Sequence, residues 1–163
     1  MDEPLSHAMR WQAFGVCAST YVRTRAYAAL DTVFFGDIGR PRINKLSDQY
    51  CLECPVKQLC LEDALVHDEQ YGVWGGLNTD QRKDFAAINE DLIKSLIRRA
   101  IEENWLQENR IQTKRVLGWV WKIQREIHLE REAAKAALSP PVPVQLLPDY
   151  ESFPQFALHM EAS

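Results

Sequence analysis

Cys51-Leu-Glu-Cys54-Pro-Val-Lys-Gln-Leu-Cys60 is the stretch on which the reading of this 163-residue chain turns. Three of its four cysteines fall within these ten residues and the fourth, Cys17, stands alone upstream. The spacing is Cys-x33-Cys-x2-Cys-x5-Cys, and no cysteine follows residue 60. In a reducing compartment such clustering signals metal or redox chemistry more than structural disulfides. Pro55 suits the first position of a helix, where its missing N–H is no loss. With Cys54 as N-cap, residues 55–70 are expected to be helical, with Val56, Leu59, Cys60 and Ala64 on one face. Cys60 then sits six residues past Cys54, roughly 9 Å along the axis. A single zinc ion needs all its sulfurs about 2.3 Å from one point. An iron–sulfur cubane is wider and takes each sulfur at a different corner, so the x5 gap favours a cluster. A zinc-stabilised interaction module stays open as an alternative, although a zinc ribbon has two Cys-x-x-Cys knuckles and this chain has one. The partial positive charge of the helix start favours thiolate at Cys54.

Working outward, Gly-Val-Trp-Gly-Gly at 72–76 reads as a tight turn. Asn78 and Gln81 form a capping-box pair for a short helix from about Asp80 to Ala87. A further helix begins near Asn89, with Leu92, Ile93, Leu96, Ile97, Ala100, Ile101 and Trp105 as its apolar stripe. After a polar break at 106–112, Thr113 caps a long helix carrying Val116, Leu117, Val120, Ile123 and Ile127 on one face. Upstream, residues 9–30 read as mostly helical and 31–50 as irregular, and no segment reads as a strand. Five prolines (140, 141, 143, 148, 154) mark the tail from Ser139 as disordered. The expectation is an all-α fold: a small helical domain organised around four cysteines, a C-terminal helical extension and a disordered tail.

Charge is unevenly distributed. Residues 1–91 carry nine basic and fourteen acidic side chains, residues 92–136 ten and six, and residues 137–163 none and three. The overall net charge is −4, and only the middle block has a basic surplus. Its Arg98, Arg99, Arg110, Lys114, Arg115, Lys122 and Arg125 are the candidate DNA-binding residues. The simpler reading of them is a solvated helical hairpin or a protein-binding surface. Trp119 and Trp121 fall on different faces of their helix, which hints at a partner surface. Gly39-Arg-Pro-Arg42 resembles an AT-hook core, against the simpler reading of a solvated turn. His67 is expected to be solvated or capping. The acidic N-terminus has no apolar core of a secretory signal, and no stretch reaches the ~20 apolar residues of a membrane helix, so a cytoplasmic location is expected. No nucleophile elbow, His-Glu-x-x-His, Walker loop or dinucleotide fingerprint is present, and no enzyme site, membrane partner or small-molecule substrate is expected. A thiol–disulfide oxidoreductase using Cys51 and Cys54 in the metal-free form is the enzymatic alternative.

The cysteine block, followed by Tyr71-Gly-Val-Trp-Gly-Gly76-Leu and preceded by Asp31-Thr-Val-Phe-Phe35, resembles the WhiB-like proteins of actinobacteria and their phages over roughly residues 11–88. The resemblance implies a redox-sensing transcription regulator with a [4Fe–4S] cluster on Cys17, Cys51, Cys54 and Cys60. It also implies docking on the primary sigma factor of RNA polymerase, with Phe34, Phe35, Trp74, Gly75 and Gly76 as contact residues. Two departures stand out: Cys17 lies fourteen residues before Asp31, farther than in the family, and Gly36 replaces the proline that follows Phe-Phe there. The expected organisation is 1–88 for cluster binding and sigma docking, 89–138 for the basic helical extension, and 139–163 for the Pro-rich tail.

Overall fold

The computed structural model describes residues 6–7, 10–24, 27–35 and 47–138, with the side chains of 21–24 and 27–29 excluded. The AT-hook-like segment and the Pro-rich tail lie outside these residues. The described residues are mostly helical and contain no strand, only an isolated bridge between Trp74 and Leu77. The chain divides into two units, Met1–Ile127 and His128–Ser163.

In the first unit a 3-10 turn at Trp11–Phe14 leads into α1 (Val16–Thr24) and α2 (Tyr27–Phe35). The Asp-x-x-Phe-Phe segment, expected to be irregular, is therefore the last turn of α2, and residues 47–51 are helical as well. Phe34 and Phe35 still diverge, because successive helix residues point about 100° apart: Phe34 is 5% exposed and Phe35 58%.

Helix α3 (Lys57–His67) starts two residues later than its proline suggested, with Val56 as N-cap. The reason is a turn. The Lys57 N–H donates to the Cys54 carbonyl at 3.1 Å, which places Pro55 at the second position of a four-residue turn, where its fixed φ is favoured. The helix-dipole argument made for Cys54 moves with the helix start, away from that residue.

Helix α4 (Thr79–Ile88) has the expected capping box: Asn78 accepts from the Gln81 N–H, and the Gln81 side chain accepts from the Asn78 N–H. Helices α5 (Glu90–Glu102) and α6 (Lys114–Leu138) flank a short 3-10 turn at Glu108–Arg110. The main core takes Leu65 and Val66 from α3, Ala86 from α4, Ile93, Leu96, Ile97 and Ala100 from α5, and Val116, Val120, Ile123 and Ile127 from α6. It is thus continuous across residues 88 and 89. A smaller apolar cluster of Leu30, Phe34 and Val73, with Val33, Tyr50, Cys17 and Cys51 packed against it, lies on the cysteine side. In the second unit the described residues are an exposed helical stretch with a Lys135–Glu132 ion pair at 2.7 Å. No described helix is long and apolar enough to cross a membrane.

Candidate metal centre

Four separate elements each deliver one cysteine. Cys17 is the second residue of α1, Cys51 ends the helical turn at 47–51, Cys54 begins the turn before α3, and Cys60 lies in the first turns of α3. All four thiols are free and half-buried. They line one cavity of about 240 Å³, which is closed further by Trp11, Phe34, Val56 and Trp74. Every pair of the four is close enough for one thiolate to disfavour the other. Burial, more than this mutual repulsion, pushes the Cys51 thiol up to about 11 and the Cys60 thiol up to about 12, and it raises Cys17 as well.

Backbone N–H groups counter the rise. The Gly75 N–H donates to Cys60 Sγ at 3.2 Å, the Gly76 N–H to Cys51, and the Ala18 N–H at the start of α1 to Cys17. Such donors stabilise sulfur that carries negative charge. The donor set therefore fits a polycationic metal group: four sulfurs around one cavity, with amides already aimed at three of them. Among the described residues no three His, Cys, Asp or Glu side chains form a ready single-ion site.

The two amides on Cys60 and Cys51 come from a hairpin. Trp74 and Leu77 exchange backbone hydrogen bonds at 3.0 Å in both directions. Gly75 and Gly76 sit between them at φ 56° and 85°, the two positive values that a type I′ turn demands. A Cβ on Gly75 would lie 2.5 Å from Leu61 Cβ and 2.8 Å from the Lys57 carbonyl, so this glycine lets the hairpin press on α3. Arg82 of α4, which sequence reasoning passed over, ties the hairpin down. Only 4% exposed, its guanidinium donates to the carbonyls of Gly72 and Leu77 at 2.7 Å each, of Glu69 at 2.8 Å and of Tyr71 at 3.2 Å. No local pattern could have singled it out, since its role appears only when the chain returns on itself.

Other expected site residues fall into distinct places. Phe34 and Gly75 are buried, whereas Phe35 is exposed and Trp74 half-buried, with its indole N–H donating to the Tyr71 carbonyl at 2.9 Å. Tyr71, not singled out from sequence, is exposed beside them. His67 is fully buried rather than solvated. Its Nε2 accepts from the Gln107 N–H at 3.1 Å, so Nδ1 carries the proton and donates to the Asp63 carbonyl at 2.8 Å. The polar break between α5 and α6 is thereby docked on α3. Arg110 donates to Asp63 at 2.8 Å and to Glu69 at 2.9 Å, the Gln112 N–H to the His67 carbonyl at 3.2 Å, and the Thr113 hydroxyl to Asp68 at 2.6 Å. Arg99 pairs with Glu62, whose carboxylate also bonds His7 Nε2 at 3.0 Å. The His7 ring stacks 3.7 Å from Trp105.

Fold and site together define a small helical protein built around a four-cysteine centre braced by a glycine hairpin. The pattern described as "Transcription factor WhiB" matches residues 11–85. Transcriptional regulator WhiB2 of Mycobacterium tuberculosis is 34% identical over 84 residues, which cover 50% of this chain and 82% of the relative. WhiB of Streptomyces coelicolor is 34% identical over 73 residues, covering 45% and 71%. The redox- and pH-responsive regulator WhiB3 of M. tuberculosis is 32% identical over 85 residues, covering 48% and 74%. This chain belongs to the WhiB family of transcriptional regulators.

Proposed function

We propose that this chain is a cytoplasmic, redox-responsive transcriptional regulator that holds a [4Fe–4S] cluster on Cys17, Cys51, Cys54 and Cys60, docks on the primary sigma factor and contacts promoter DNA through its basic helices. The observation that carries the reading is the convergence of all four thiols on one cavity, with the Gly75 and Gly76 amides directed at two of them. A cluster bound there would supply sensitivity to oxidants through its redox state and its loss. The four cysteines would hold it, the Gly75 and Gly76 amides donate to the Cys60 and Cys51 sulfurs, and Trp11, Phe34 and Val56 would cover it. The exposed Phe35 and half-buried Trp74 stand at the rim, where an aromatic pair can anchor a protein partner; Phe34 and Gly75 support that rim from beneath. The oxidoreductase alternative fares worse, because an attacking cysteine needs a lowered pKa and the Cys51 thiol is pushed up to about 11.

The test is anaerobic co-expression with the C-terminal region of a primary sigma factor, followed by absorption spectra and metal analysis of the co-eluting species. Iron, acid-labile sulfide and sigma are expected together. A colourless zinc protein of unchanged fold overturns the cofactor, and an iron protein that elutes alone overturns the partner. Trp74→Ala is expected to weaken sigma retention with iron content unchanged.

A further inference from the structure

The DNA contact can be assigned to one face, an inference that rests on the DNA-binding part of the reading above. Of the seven basic candidates, three are bound internally: Arg98 to Glu102 and Glu126, Arg99 to Glu62, and Arg110 to Asp63 and Glu69. Arg115 lies over the Trp119 ring, 5.0 Å from its centroid. Lys114, Lys122 and Arg125 are exposed and form no ion pair among the described residues. At 3.6 residues per turn the buried Val116, Val120, Ile123 and Ile127 define the inner side of α6. Lys114, Gly118, Trp121 and Arg125 follow one another along the opposite side, with Lys122 one turn beyond Gly118. No acid occurs between Lys114 and Arg125.

Two residues on this side are not needed for packing among the described residues. Glycine is the poorest helix former after proline, and a Cβ built on Gly118 meets nothing within 4 Å. Internal packing therefore does not require it. Trp121 leaves 65% of its surface in water. We propose that the outer face of α6 from Lys114 to Arg125 lies against the backbone of duplex DNA. Gly118 provides the notch for close approach, Trp121 lies flat beside it, and Lys114, Lys122 and Arg125 meet phosphates. The face runs roughly 16 Å at about 1.5 Å per residue. A duplex presents a charge about every 1.7 Å of axis, enough to engage all three cations. Lysine predominates here, a residue that protein interfaces disfavour and phosphate contacts use as a point charge. The face lies beyond residues 11–85, which match the family, so it is a property of this chain.

Binding of the anaerobically purified full-length protein to a mixed-sequence duplex, measured by fluorescence anisotropy over a salt series, tests this. The triple variant Lys114→Gln/Lys122→Gln/Arg125→Gln is expected to reduce the log–log salt slope by about 3. Gly118→Leu is expected to raise the melting temperature, since leucine favours helix, yet to weaken DNA binding about tenfold, as loss of one good contact does. Lys83→Gln, which removes an exposed lysine on a different helix, α4, serves as the control and should leave the slope unchanged. If the wild type binds DNA and the triple variant keeps the full slope, the face is wrong while the DNA reading survives. If the triple variant keeps that slope but loses a protein partner, the face belongs to an acidic protein and the proposal falls. If iron-loaded wild type binds no duplex, alone or with sigma, both fail.

Discussion

Arg82 illustrates how one residue outside the cysteine set governs the centre. Its guanidinium donates to the carbonyls of Glu69 and Gly72 and adds a second donor to those of Tyr71 and Leu77, which also accept from Trp74, and leaving buried polar groups unpaired costs about 1–3 kcal/mol each. Arg82→Gln is expected to lower stability by roughly 3 kcal/mol, read from denaturant midpoints, and to accelerate iron loss because the Gly75 amide no longer holds its place over Cys60. Arg82→Lys should recover only part of this, since an ammonium cannot span four acceptors. At Cys17 the expectation is sharper. The other three cysteines are brought together by local turns, but Cys17 arrives through tertiary contact, packed with Cys51 against the cluster of Leu30, Phe34 and Val73. Cys17→Ala should abolish stable metal binding, with iron content after anaerobic purification as the readout; full iron would place the fourth ligand elsewhere. The grouping of Cys51, Cys54 and Cys60 was legible from spacing, whereas Cys17 joins the same cavity only in the tertiary structure. Arg82 and His67 were not legible, because neither lies in a periodic pattern and each acts on residues distant in sequence or reached only by a turn.

At the scale of elements, α3 has two jobs. One side presents Cys60 to the centre, while Glu62, Asp63 and His67 grip the extension. Burial alone would raise the Asp63 carboxyl. Hydrogen bonds from His67 and Arg110, and the charge of Arg110, outweigh it and hold the carboxyl below its ordinary value. A depressed folded pKa adds stability that is present above the unfolded value of about 3.9 and is lost as pH falls through that value toward the folded one. Asp63→Asn is expected to cost about 2 kcal/mol at pH 7 and to flatten the acid limb of stability, checked by urea midpoints from pH 7 to pH 3. A variant with the wild-type acid limb would assign the pH dependence to other carboxylates. The capping box of α4, the stripe of α6 and most of that of α5 appear where the sequence placed them, because caps and 3.6-residue periodicity are local; Leu92 is exposed, and Trp105 is buried but lies past the end of α5 at Glu102. The start of α3 and the last turn of α2 were misjudged. Pro55 suits a helix start and the second position of a turn equally, and the Cys54–Lys57 hydrogen bond decided between them.

Across the first unit, stability is unevenly shared between two apolar clusters. The core from Leu65 to Ile127 contains no cysteine. The cluster of Leu30, Phe34 and Val73 is small and leans on Cys17 and Cys51. Among the described residues, the three buried apolar side chains, at about 1.5–3 kcal/mol each, do not by themselves offset the entropy of ordering α1 and α2 at about 1–2 kcal/mol per residue. Stripping the metal with a chelator is therefore expected to release α1 and α2 while α5 and α6 stay folded. Amide hydrogen exchange before and after chelation checks this: protection should vanish in residues 16–35 and persist around Ile97 and Val120. Uniform retention would mean that the centre does not organise its surroundings.

By itself, the sequence determined the helical class, the grouping of Cys51, Cys54 and Cys60, the glycine turn and the starts of α4 to α6, since periodicity, caps and spacing act over a few residues. Only the tertiary structure decided which charges are available. Arg98, Arg99 and Arg110 look identical to Lys114, Lys122 and Arg125 as letters, yet the first three are consumed by carboxylates, two of them by acids that lie some forty residues away in the chain. Whether a charge faces a carboxylate or water depends on which surfaces the core brings together, and no local pattern encodes that.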